Sequence, residues 1–265
     1  MGPHLIATDL DGTLLGADHA LAELTVATFR ALAARGHHVA LASGRHYRDI
    51  LAFRDRLGID AHVVSTNGAY THGPDGELLA ARYLAGELAR ELIALPRPEG
   101  VRLNLYHDDE WLIDAEAPEL LALHVHTGFG YRVVAPEQLD GEGVGKVLYI
   151  GEPDRLGELE AEVRRRAGEA LHVTYSTPNS LEIMAGGVNK GSALAALLER
   201  LALPAERCLA FGDNLNDTEM LARAGEAHVM ANAHPGLGEA VPHARRIGHH
   251  DQAAVARHLA ERFAL

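Results

Sequence analysis

Short apolar runs alternate with stretches of helical periodicity over the first third of the chain. His4–Thr8 reads as a strand that stops at the turn Asp11-Gly12-Thr13. From Leu21 to Arg35, positions such as Leu24, Ala27 and Ala31 recur at a spacing near that of a helix, and Gly36 stands where a helix C-terminus takes the left-handed conformation. Val39–Ala42 and Ala61–Ser65 are further strand-like runs, separated by Ser43-Gly44-Arg45 and a helix that Gly58 ends. Strands and helices in this alternation predict βαβ units and a parallel sheet.

The last third repeats the style, with helices over Lys190–Leu203, Asn216–Ala224 and Asp251–Leu265 and strands over Cys208–Phe211 and Ala227–Met230. The middle differs. After a helix beyond Leu84 come strand pairs (Val101–Tyr106 with Glu110–Asp114, and Leu171–Tyr175 with Leu181–Met184), strands near Tyr131–Val134 and Lys146–Ile150, and helices over Ala117–His126 and Asp154–Ala167. Adjacent strand pairs point to an antiparallel α+β layer. The chain is therefore expected to be α/β: a Rossmann-like parallel-sheet core from residues 1–83 and 186–265, with an α+β cap domain inserted at 84–185.

Composition narrows the function classes. Of 265 residues 47% are hydrophobic, enough for a sizeable core, and 24 Lys and Arg against 37 Asp and Glu leave a formal charge of −13. That balance argues against a nucleic-acid or anionic-lipid surface, though a local cluster of metal and Lys can still hold a small anion. The single cysteine, Cys208, lies in an apolar run and reads as a buried strand thiol. No apolar run approaches the ~20 residues of a membrane span, and no signal-peptide pattern opens the sequence. A soluble, cytoplasmic protein is the expectation, with oligomeric state left open.

Ligands of an open parallel sheet bind beyond the carboxyl ends of its strands. There the first strand ends in Asp9-Leu10-Asp11-Gly12-Thr13, the second in Ser43-Gly44-Arg45, and Cys208–Phe211 in Gly212-Asp213-Asn214-Leu215-Asn216-Asp217. Four carboxylates at one edge repel unless a cation is shared, and oxygen ligands without Cys or paired His select a hard ion such as Mg2+. Asp9 and Asp11 are two residues apart, so an extended strand would put both on one face, as a nucleophile and a proton donor for one substrate atom. Ser43 and the amides beyond it offer donors to a phosphoryl group. Lys190, between Gly187 and Gly191, offers a point charge, and the glycines suggest close backbone packing.

This ordered set resembles the haloacid dehalogenase-like superfamily, in its Cof-type, type IIB branch: Asp9-x-Asp11-Gly12-Thr13-Leu14, Ser43-Gly44-Arg45, Asn67-Gly68-Ala69, Glu182-Ile183 leading to Gly187-Val188-Asn189-Lys190-Gly191, and Gly212-Asp213-x-x-Asn216-Asp217-x-x-Met220. The resemblance implies a phosphatase of sugar phosphates or similar small metabolites. It implies Asp9 as nucleophile and Mg2+ ligand, Asp11 as general acid/base with its carbonyl on the metal, and Lys190 paired with the nucleophile. It likewise implies Asp213 on the metal, Asp217 behind it, and Ser43, Gly44, Arg45, Asn67 and Asn216 around the substrate. Two positions depart from the pattern: Ala185 replaces a usual Pro, and Ala254-Val255 a usual Gly-Val.

Other signals weigh less. The 17 histidines show no His-Glu-x-x-His spacing, and His124 and His126 would point apart on a helix. Arg164-Arg165-Arg166 is interleaved with Glu158, Glu160 and Glu162 as a solvated face, and Trp111 reads as packing in the cap or lining its pocket. The competing functions are a phosphomutase and a non-enzymatic phospho-aspartate regulatory module, the latter half as long and without use for an insertion.

Overall fold

The computed structural model describes residues 2–265. In chain order the first elements are β1 (Leu5–Thr8), α1 (Glu23–Ala34), β2 (His38–Ala42), α2 (Tyr47–Leu57), β3 (Ala61–Ser65), β4 (Tyr70–His72) and β5 (Leu78–Ala81). Next come α3 (Gly86–Ile93), β6 (Arg102–His107), β7 (Glu110–Ile113), β8 (Tyr131–Val133), β9 (Val144–Ile150), α4 (Pro153–Ala167), β10 (Leu171–Thr177) and β11 (Ser180–Ala185). The chain closes with α5 (Lys190–Arg200), β12 (Cys208–Gly212), α6 (Thr218–Arg223), β13 (Glu226–Val229), α7 (Pro235–Ala240), β14 (Arg245–Arg246) and α8 (Ala254–Phe263).

One sheet has the order β14-β13-β12-β1-β2-β3-β4-β5. It is parallel from β14 to β3, and the hairpin β4–β5, absent from the sequence reading, adds two antiparallel strands. Alternation along each strand sorts side chains by size. Ile6, Val39, Leu41, Leu209 and Phe211 face one buried cluster with Phe29, Ile50 and Leu259 of α1, α2 and α8. Leu5, Ala7, Ala40, Ala42, Cys208 and Ala210 face the other, with Leu194, Leu197 and Met220 of α5 and α6. Cys208 is fully buried, as its apolar setting implied, and burial pushes its thiol up to about 12.

The second sheet runs β10-β11-β9-β6-β7-β8, all antiparallel except β7–β8. Leu103, Leu105, Leu112, Val147, Tyr149, Leu181 and Ile183 on one face pack with Leu92, Ile93, Leu156, Leu159 and Val163 of α3 and α4. With a period of two, Asn104, Tyr106, Trp111, Lys146, Leu148 and Glu182 take the opposite face. The helix expected over Ala117–His126 is instead a tighter 3-10 segment, Pro118–His124. Ala117 supplies no capping side chain, and Leu121 and Val125, which an amphipathic helix would bury, stay exposed. Among the described residues no helix is long and apolar enough to cross a membrane.

The two glycines around Lys190 act differently. Gly187 has open space around it and a φ of +75°, so the turn needs its backbone freedom. Gly191 is the close contact: a Cβ there would lie 2.3 Å from the Glu219 carbonyl oxygen where α5 crosses α6. Gly191→Ala is therefore expected to cost about 1–3 kcal/mol, read as a lower urea midpoint at unchanged m-value. A wild-type midpoint would show that α5 and α6 separate without strain.

Candidate active site

β1 delivers Asp9 to the sheet edge, where its backbone N–H continues the ladder to the Phe211 carbonyl at 3.0 Å. Oδ1 of Asp9 accepts from Lys190 Nζ at 2.6 Å, and the same ammonium donates to Asp217 Oδ1 at 2.7 Å. Lys190 is fully buried. It is the first residue of α5, and a capping box fixes it there: the Asn189 side chain accepts from Ser192 N–H at 2.7 Å, and Ser192 Oγ accepts from Asn189 N–H at 3.1 Å. Asp217 Oδ2 in turn accepts from the amides of Asp213 (2.9 Å) and Asn214 (3.1 Å). Thr13 Oγ1 holds Asp213 Oδ1 at 2.8 Å.

Asp9, Asp213 and Asp217 thereby bring one carboxylate oxygen each within 4.8 Å of the others. Gly12, at φ +73°, permits the approach, since a Cβ there would stand 2.4 Å from Asp213 Oδ2. Three carboxylates against one ammonium leave two formal negative charges, a deficit that a divalent cation with a preference for oxygen could fill. The titration directions agree with this crowding. Burial raises Asp9 well above the usual carboxylate range against the pull of Lys190, and burial, with the neighbouring Asp217 charge, pushes Asp213 up to about 7. Burial alone would lower Lys190, but Asp217 and Asp9 hold it above its ordinary value.

Asp9 and Asp11 are not neighbours on a straight strand, because Leu10 between them already belongs to a helical turn. After Asp9 the chain winds through a wide turn, Leu10–Leu14, with Gly12 in the left-handed region. The Asp11 carboxylate accepts from Arg45 Nε at 2.6 Å and Nη2 at 2.7 Å, with His19 Nδ1 at 3.2 Å. Burial would raise Asp11, yet the hydrogen bonds from Arg45 and His19 hold it well below the usual range. Both carboxylates nevertheless line one cavity of about 220 Å3.

The remaining expected residues gather at the same place. Ser43, Gly44, Arg45, Asp213 and Asn216 line the cavity, and Ser43 Oγ accepts from Arg45 N–H at 3.1 Å. Lys190, Asp217 and Asn67 stand behind that lining. Asn67 accepts from Asn216 Nδ2 at 3.1 Å and donates to Glu182. Of the opposite wall, built by the second sheet, sequence reasoning offered Trp111 and Glu182 but missed Lys146, which is buried, donates to the Gly44 carbonyl (2.7 Å) and Glu182 (3.1 Å), and lies 4.3 Å from the Tyr106 ring. A lone lysine in the apolar run Val144–Ile150 was the available signal. Burial lowers Lys146, with Glu182 opposing. Tyr106, Trp111, Leu120, His124, Leu148 and Ile150 complete this wall, and His19 joins from the loop after β1. His249, His250 and Asp251 also come within metal-ligand reach of one another, but His250 Nδ1 lies 2.8 Å from the Leu15 carbonyl and Asp251 accepts from Ala17 N–H, so the group ties two loops together.

Comparison with known proteins adds an independent view. Residues 6–259 match the family of haloacid dehalogenase-like hydrolases. An HMP-PP phosphatase of Cronobacter sakazakii is 36% identical over 253 residues, covering 96% of this chain and 93% of the relative. A haloacid dehalogenase-like hydrolase of B. subtilis superposes with a TM-score of 0.87 at 25% identity, covering 97% of this chain and 98% of that one. A subclass IIB sugar phosphatase superposes with a TM-score of 0.85 at 19% identity, covering 98% and 99%, a likeness of fold.

The raised carboxylates set a pH dependence. With Asp213 near 7 and Asp9 also raised, these two carboxyls bind more protons in the metal-free fold than in the unfolded chain between about pH 4 and pH 7. What they contribute to stability therefore falls as pH rises through that window, while burial of His62, His72 and His228, each lowered to about 4, works in the opposite sense. A divalent cation must displace those protons, so it should raise the melting temperature more at pH 7.5 than at pH 5.5. Equal shifts at both pH values in scanning fluorimetry would remove these carboxylates from the metal site.

Proposed function

The chain belongs to the haloacid dehalogenase-like hydrolases and is a phosphatase of small phosphorylated metabolites; on that premise we propose that it works with Mg2+ through a phosphoryl ester on Asp9. The observation that carries this is the division of carboxylates: Asp9, Asp213 and Asp217 crowd one buried ammonium, while Asp11 is held apart at the same cavity. The oxygen donor set fits Mg2+, with Asp9 and Asp213 as its carboxylate ligands, Asp217 behind them and Asp11 contributing through its backbone. When bound, the ion neutralises phosphoryl charge and the excess carboxylate charge.

The protein groups do the rest. An Asp9 oxygen forms the bond to phosphorus while the bond to the leaving oxygen breaks, and the Asp11 carboxyl supplies that oxygen with a proton. Lys190 holds Asp9 in place, and Ser43 with the following amides receives the phosphoryl oxygens. Asp11, then ionised, takes a proton from the water that cleaves the Asp9 ester, and phosphate leaves. Arg45 on both oxygens of Asp11 represents the ionised half of this cycle.

Sugar phosphates are the first substrate class to test. A second reading, a flat and weakly hydroxylated leaving group, is supported by the wall of Tyr106, Trp111, Leu120, Leu148 and Ile150. The relatives named HMP-PP phosphatases make HMP-PP a further substrate to test. Stoichiometric release of free phosphate separates a phosphatase from a phosphomutase or a regulatory phospho-aspartate.

Chelation is expected to abolish phosphate release and Mg2+ to restore it, with Ca2+ a poor substitute because its larger shell favours a bidentate Asp9 with no oxygen free to attack. Full activity after exhaustive chelation would end the proposed mechanism.

Asp11→Asn separates the two proton transfers. Alkyl phosphates need a protonated leaving group, so the first step should slow by about 10²–10⁴-fold. With p-nitrophenyl phosphate it should survive, giving a burst of nitrophenol near one equivalent and a phosphoryl label on Asp9, detectable by acid quench and mass spectrometry. Asp9→Asn should give neither. Equal losses on both substrates without a burst would reduce Asp11 to a metal-site carboxylate.

A further inference from the structure

Asp49, in the first turn of α2, is fully buried and has no part in the chemistry above. Its Oδ2 accepts from Arg45 Nη1 at 2.6 Å and lies 3.0 Å from His124 Nδ1, and its Oδ1 accepts from Thr127 Oγ1. Arg45 and Asp49 come from the parallel-sheet core, whereas His124 and Thr127 come from the segment between β7 and β8 that walls the cavity. Arg45 Nε and Nη2 meanwhile hold Asp11. One guanidinium thus stands between the acid–base carboxylate and a carboxylate shared across the two halves of the molecule. The same segment is seated further along its length: Phe129 stacks on the His46 ring at 4.7 Å and 14°, and His126 Nε2 lies 3.0 Å from the Asp18 carbonyl.

We propose that Asp49 is a positioning residue that couples the seating of residues 118–129 over the cavity to the grip of Arg45 on Asp11. The physical reason is anchorage. A carboxylate taken out of water must be matched by donors. With the segment seated, Thr127 donates to Asp49 beside the His124 ring and fixes the carboxylate that anchors Arg45 Nη1, so the planar fork presents its other two nitrogens to Asp11. With the segment lifted, Asp49 is free to turn and the guanidinium it anchors turns with it, so Asp11 loses its orientation. Proton transfer at Asp11 is then efficient only while the leaving-group side of the cavity is covered. This inference rests on Asp11 being the acid–base residue.

The test is a double-mutant cycle on the full-length enzyme with Mg2+ and p-nitrophenyl phosphate. Asp49→Asn keeps the shape but removes the charge, and kcat should fall roughly 10–100-fold with little change in KM. The cap-side pair His124→Gln with Thr127→Val should also lower kcat, and adding it to Asp49→Asn should lower kcat no further, because both break one link. A second readout needs no turnover. Trp111 is the single tryptophan, 3% exposed and 4.9 Å from the His124 ring. Its fluorescence should become more open to acrylamide in each variant while far-UV circular dichroism is unchanged.

Losses that multiply across the cycle, or unchanged quenching in a variant that has lost kcat, would overturn the coupling and leave Asp49 as a support for Arg45 within the core. Should Asp49→Asn not fold, the cap-side pair decides alone, and wild-type kcat in it overturns the proposal. Failure of the underlying reading looks different: the wild-type enzyme would release no phosphate, or Asp9→Asn would stay active.

Discussion

A single buried ammonium has to answer for three carboxylates, and much of the molecule is arranged around that imbalance. Moving an ion of this size out of water costs on the order of 20 kcal/mol in the idealised limit, and a buried pair does little better than break even. The cluster of Lys190 with Asp9, Asp213 and Asp217 is therefore a burden that the fold carries, and both buried layers of the parallel sheet carry it. The in-register pairing of β1 with β12 sets Asp9 beside the loop of Asp213. The capping box at Asn189 fixes where Lys190 begins its helix. In the proposed reaction these parts are already in place when phosphoryl charge arrives, and such preorganisation is the main source of rate in electrostatic catalysis.

The second sheet contributes a different kind of surface. Its outer face is an ordinary core against α3 and α4, and its inner face must meet an anionic edge without adding to the charge. It does so with aromatic and aliphatic side chains, and its buried charged residues, Lys146 and Glu182, neutralise each other. The proposed chemistry is thus confined to one sheet edge, and under that proposal discrimination between leaving groups falls to the sheet that faces it.

The parts of the site legible in the sequence are those that local chain chemistry writes. Asp9, Asp11, Ser43 and Asp213 each follow a short apolar run in a turn of unusual composition, so their strand-end position follows from the pattern alone. The direction of Asp11 was not legible, because the chain leaves the extended conformation at Leu10, directly after Asp9. Lys146, His124 and Asp49 were hidden for another reason. His124 and Asp49 look ordinary among their neighbours, Lys146 stands out only as a lone charge in an apolar run, and the role of each exists only where two elements distant in sequence meet. The 3-10 turn at Pro118–His124 belongs with these, since its shape is set by what it covers and not by its own periodicity. The β4–β5 hairpin is the exception: its turn, Gly73-Pro74-Asp75-Gly76, is a strong local signal.

The pairing of β1 has a consequence for the order in which the protein is made. Its partner on one side, β2, follows within a single helix, but on the other side it is β12, with Leu5 opposite Cys208. The Asp9 amide is held by Phe211, and Lys190 precedes that strand by only one helix. On the ribosome, β1 must therefore wait with one edge unpaired while the whole inserted unit emerges and closes its own sheet. The nascent chain cannot bring Asp9, Lys190 and the acidic loop of Asp213 and Asp217 together until just over four-fifths of it has been synthesised. The exposed edge of β1 is, over the same interval, the place where a delayed or truncated chain is open to pairing with another copy.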